Sequence, residues 1–91
     1  MQAIQMMSAL AQPTRLEVFT QLSRSLPEGL SSGTLAESIG TPANTMSAHL
    51  AILSRAGLIT SKKKGRSIVY RAEPDAVRAL ASFLTRNCFA E

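Results

Sequence analysis

Four cations fall within five residues, at Lys62, Lys63, Lys64 and Arg66. Such a cluster repels itself unless water, salt or an anion faces it. It suits either a polyanionic partner or the blunting of an exposed strand edge, for which lysine is common. Just upstream, a helical stretch over 42–56 brings Met46, Leu50 and Leu53 into one stripe about 60° wide, which must face a core. Asn44, Ala48, Ala51 and Arg55 lie opposite, flanked by Thr45 and Ser47. A helix entering a major groove needs such small polar groups, because bulky side chains would hold its backbone off the base edges. The same residues also suit a solvated face. His49 sits on the flank of the buried stripe, where it can make a structural hydrogen bond or a phosphate or base contact. A protonated ring beside phosphates would add charge.

Other chemistries find no residues to carry them. One histidine and one cysteine, Cys88, leave no Ser-His-Asp arrangement, and neither paired carboxylates nor a phosphate loop appear, so an enzyme is not expected. No cofactor is expected either. A single cysteine rules out an internal disulfide and fits a reducing cytoplasm. The net charge of +4 favours an anionic partner. With Phe19, Phe83, Phe89 and Tyr70 as the only aromatics, stacking on single strands is disfavoured against double-stranded DNA. The opening MQAIQMMSAL lacks the basic region and long apolar run of a signal peptide. No stretch reaches the roughly 20 apolar residues of a membrane span.

The elements that must position these residues follow from the chain's punctuation. Ninety-one residues predict one domain over 1–91. A first helix over 2–11 spaces Ile4, Met7 and Ala11 on one side and stops before Pro13, which suits the first turn of a second helix over 13–25. That helix carries Leu16, Val18, Phe19 and Leu22, apolar on more than one side, so it is expected at the centre of the core. LPEGLSSG reads as a connector, and a short helix over 33–39 buries Leu35, Ala36 and Ile39 before Gly40. Thr41 is the expected N-cap, and Pro42 the expected first residue, of the 42–56 helix, which Gly57 ends. Two strands, 58–62 and 67–71, flank a turn at KKGR. Asp75 suits the N-terminal dipole of a last helix running from 74 to about 87. Helix, tight turn, capped helix and hairpin define a mainly α domain: a winged helix-turn-helix with five helices, the helix-turn-helix over 33–56 and a two-stranded wing over 58–71.

The stretches LAQPTRLEVFTQL, TLAESIG, NTMSAHLAILSRAGLI and KKGRSIVYR together resemble the ArsR/SmtB family of winged helix-turn-helix repressors, over nearly the whole chain and in the family's order. The resemblance implies a homodimer joined through its first and last helices (1–11 and 74–88), an inverted-repeat operator, and repression lifted by an inducer. It places TMSAHLAILSRAGL on the recognition helix and carries Thr45, Ser47 and His49 over as DNA contacts. Ala48 stands where many members have a larger polar or basic reader. With Asn44, Arg55, Lys62, Lys63, Lys64 and Arg66, these make up the expected DNA-binding set.

The dimer has separate support. Val77, Ala81, Leu84 and Cys88 share a stripe on the last helix, with Leu80 beside it and Phe83 further round. With Ile4 and Met7 of the first helix, that apolar arc suits a two-fold interface; closing a monomer core is the competing use. The inducer is where the resemblance ends. The family's Cys-x-Cys places hold Ser31 and Gly33, and the last helix has Asp75 but no histidine. Those groups cannot supply the four N or S donors of a closed tetrahedral site, so no metal site is expected and the inducer is unassigned. Two readings compete with the operator-binding repressor. One is a winged-helix module that docks an acidic protein through its wing. The other is a repressor that senses thiol chemistry or a thiophilic ion through Cys88, against which stands the reading of Cys88 as a small buried hydrophobe.

Overall fold

A computed structural model describes residues 2–88 of the chain; Phe89, counted among the aromatics above, lies outside them. Five helices and a three-stranded antiparallel sheet follow one another as α1 (Ala3–Leu10), α2 (Pro13–Arg24), β1 (Leu30–Ser31), α3 (Ser32–Ile39), α4 (Ala43–Arg55), β2 (Ile59–Lys64), β3 (Ser67–Ala72) and α5 (Pro74–Cys88).

Helix ends are set by local chemistry. Gln12, rather than a short polar residue, caps α2 by accepting a 2.8 Å hydrogen bond from the Arg15 backbone N–H. Ser31 caps α3 in the ordinary way, its hydroxyl accepting from the Thr34 N–H at 3.1 Å. The left-handed Gly40 then closes α3, with the N–H groups of Gly40 and Thr41 both donating to the Ala36 carbonyl. One expectation fails here. Thr41 does not cap α4; Pro42 holds the cap position, without any side-chain bond, and the helix starts at Ala43.

The core is a single cluster in which α2, α3 and α4 meet the sheet. Val18, Leu22, Leu35, Met46, Leu50, Leu53 and Leu58 are its fully buried side chains, so the apolar stripe of α4 faces inward as its spacing requires. Leu16 does not join them; it is 51% exposed, and only Val18 and Leu22 of α2 are fully inside. In α1 the inward residues are Met6 and Ala9, while Ile4 is 81% exposed.

The sheet adds a strand that the sequence did not suggest. Leu30 and Ser31 pair with Tyr70 and Val69, giving the order β1-β3-β2, so the wing is anchored by the chain entering α3. Gly29 makes this possible. Its φ of 81° and the close approach of the Tyr70 carbonyl oxygen leave no room for a Cβ.

Candidate nucleic-acid interface

Helix α4 presents Asn44, Thr45, Ser47, Ala48 and Arg55 to solvent, with Ala51 half-buried on the same side. The exposed face is therefore small and polar along its first two turns and cationic near its end.

The wing is built differently from the expected basic tip. Strand β2 continues through Lys64, and the turn consists of Gly65 and Arg66 alone. Gly65 takes a φ of 63°, as the first central residue of a II′ hairpin turn must. The three lysines thus lie on a strand, and their side chains alternate between faces. Lys63 stands opposite Ile68, on the face that also carries Ser61 and Tyr70 and begins at the buried pair Ile59 and Ala72. Lys62 and Lys64 stand opposite Val69 and Ser67 and share a cleft on the other face with Arg71 and Glu28. Among the described residues the one ion pair is Arg78 with Asp75, at 2.9 Å on α5, so no wing cation is in direct contact with a carboxylate there.

Helix α4 and the wing meet in a polar groove. Ser47 of α4 lines it from one side, and Arg66, Ser67, Ile68 and Tyr70 of the wing line it from the other. Ser31, Ser32 and Gly33, around the start of α3, complete its lining. A cation and several hydroxyls in one open channel can engage a phosphate backbone while the neighbouring helix face reaches base edges. Ser67, Tyr70 and the 48%-exposed Ile68 were not picked out from sequence, although Ile68 could have been found by fixing the hairpin register and alternating from it.

His49 is half-buried and turned toward α2, with its Nδ1 at 3.5 Å from Arg15 Nη1. Arg15 also donates from Nε to the Ala9 carbonyl at 2.6 Å and from Nη2 to the Ser8 carbonyl at 3.4 Å, so its cation covers the C-terminal end of α1.

The residues proposed for self-association divide in two. Ile4, Met7, Ala81 and Cys88 are exposed, and Val77 and Leu84 are half-buried. Leu80 is already 93% withdrawn into its own core, at 7% exposed, and has little left to offer a partner. Cys88 is a free thiol at the exposed end of α5, so it is not a buried hydrophobe within this chain. At the family's metal positions, Ser31 is committed to capping α3 and Gly33 brings no side chain, so the residues there do not fit a soft metal ion.

Two helices joined by a tight glycine turn, an exposed polar face on the second and a hairpin beside it define a winged helix-turn-helix domain. Comparison with known proteins agrees. A helix-turn-helix domain family matches residues 10–62. The transcriptional regulator YgaV of Escherichia coli is 35% identical over 83 residues, 91% of this chain and 82% of YgaV. The regulator KmtR of Mycobacterium tuberculosis is 36% identical over 77 residues, 85% of this chain; the chain spans only 57% of KmtR's length. Among solved structures, an ArsR-like transcriptional regulator from Rhodococcus superposes with a TM-score of 0.86 at 31% identity, over 96% of this chain and 79% of that one. The homodimeric winged helix-turn-helix DNA-binding domain of Mb0332 from Mycobacterium bovis superposes with a TM-score of 0.76 at 25% identity, over 90% of this chain and 74% of that one. The chain belongs to the ArsR family of winged helix-turn-helix transcriptional regulators.

Proposed function

We propose that the protein works as a homodimer on double-stranded DNA, each protomer reading one half of an inverted-repeat operator and so repressing transcription from a nearby promoter. The observation that carries this reading is the groove in which Ser47 of α4 and Arg66 of the wing converge. Helix α4 lies in the major groove, with Asn44, Thr45 and Ser47 at base edges and Arg55 toward the backbone. Lys62, Lys63, Lys64 and Arg66 engage phosphates or the adjacent minor groove, Lys63 and Arg66 from the groove side. Residues 1–11 and 74–88 form the dimer, with Ile4, Met7, Val77, Ala81 and Leu84 at its centre, and 33–56 and 58–71 are the reading and wing segments of the single domain. None of the described helices is long and apolar enough to cross a membrane, and the cytoplasm, where the operator is, is the proposed location.

The test is an equilibrium titration of the promoter region of the protein's own gene over a range of salt. Tight binding whose logarithm falls linearly with log salt supports the reading. Binding that ignores salt, or that is equal on scrambled DNA, favours the acidic-protein dock instead. The exposure of Cys88 favours one addition to the repressor reading: a thiol or thiophilic-ion signal arriving through that residue. A Cys88→Ser variant that responds to oxidants and metals as the parent does removes it.

A further inference from the structure

We propose that Arg15 is a positioning residue for DNA recognition, locking the His49 ring so that its Nε2–H is offered to the duplex, and tying the end of α1 to the reading helix. This rests on the reading of α4 as the DNA-facing helix. A guanidinium only donates hydrogen bonds, so the 3.5 Å contact from Arg15 Nη1 to His49 Nδ1 is satisfied only by a ring that is bare at Nδ1 and carries its proton on Nε2. No buried side-chain nitrogen or oxygen of the described residues lacks a partner, and Nε2 makes no hydrogen bond to any of them, so Nε2 reaches solvent. The half-buried ring thus has one nitrogen held from inside and the other free outside, on the helix whose next outward neighbours are Ser47 and Ala48. Arg15 is itself fixed, because its Nε and Nη2 are used on the Ala9 and Ser8 carbonyls. Its planar fork spreads donors over Nε, Nη1 and Nη2, each used on a different acceptor, a spacing that the one nitrogen of a lysine ammonium does not reproduce.

Two measurements test this. In full-length, DNA-free protein, nitrogen-resolved NMR of the His49 ring should show one neutral tautomer with Nδ1 bare, and Arg15→Lys should yield a mixture while the protein stays folded. A mixture in the parent overturns the proposal. On operator DNA, Arg15→Lys and His49→Ala should each weaken binding about ten-fold, the scale of a hydrogen bond to a charged group. The double variant should bind no worse than the weaker single one. If the losses multiply, Arg15 merely caps α1 and the proposal fails. Arg66→Ala serves as the reference. Should it weaken binding while the Arg15–His49 pair does not couple, only the positioning role is lost. Should Arg66→Ala also change nothing, the DNA interface itself is wrong.

Discussion

Lys63 stands opposite Ile68 on the inner face of the wing, whereas Lys62 and Lys64 point to the outer face, beside Arg71 and Glu28. The positive charge at 62–64 is therefore not one cluster at a tip but two sets of cations separated by the sheet.

That alternation orders the lysines by effect. Lys63→Ala and Arg66→Ala should each lower affinity on all sequences and flatten the plot of log affinity against log salt by about one unit. Lys62→Ala, whose side chain leaves on the outer face, should flatten it less. Fluorescence anisotropy at several salt concentrations reads all three, and equal slopes for the three variants would contradict the assignment of faces.

Ser47→Ala and Thr45→Ala should act differently. Each should relax discrimination at particular base pairs by about 1–3 kcal/mol while leaving binding to random DNA nearly intact. Competition binding against single-base-pair operator variants is the measurement, and a uniform loss on every sequence would count against a base contact.

Gly29→Ala probes how the wing is held. A left-handed φ and the Tyr70 carbonyl oxygen in the path of the new methyl should together cost about 1–3 kcal/mol or more in urea unfolding. Gly40 and Gly57 take similar φ values but have open space around a Cβ. Gly57→Ala should therefore cost less than Gly29→Ala.

Association through α1 and α5 predicts that Ile4→Glu combined with Leu84→Glu shifts the protein toward monomer in sedimentation, since charge would enter an apolar contact. The monomer should keep its helix content, because Ile4 is 81% exposed and Leu84 lies outside the fully buried core. Loss of folding together with the dimer would show that one chain cannot close its core alone.

Much of this architecture was legible because proline and glycine punctuate the chain. Pro13, Gly40 and Gly57 place helix limits within a residue or two of those observed. Strand β1 was not legible, because two residues inside a turn-rich connector carry no periodicity, and their pairing with Val69 and Tyr70 is made across the fold. The inward side of α1 was hidden for another reason. In AIQMMSAL both Met6 with Ala9 and Ile4 with Met7 form apolar pairs at helical spacing, and the less apolar pair is the one turned inward, so spacing and hydrophobicity alone do not orient it. The site divides similarly. The polar face of α4 follows from its period, but the side taken by each lysine depends on where β2 ends, and the Arg15–His49 contact joins two helices far apart in sequence. The spare apolar area on α5 was visible too, though Leu80, beside the expected stripe, turned out to complete the core.

The central claim, a two-fold reader with α4 in the major groove, is tested most directly by hydroxyl-radical footprinting on the bound promoter fragment. The claim predicts two symmetric protected half-sites whose centres lie one helical turn apart (about 10–10.5 base pairs) or a multiple of it, with flanking protection from the wings that fades in Arg66→Ala. A single asymmetric patch, or protection that stays the same in Arg66→Ala, would contradict it.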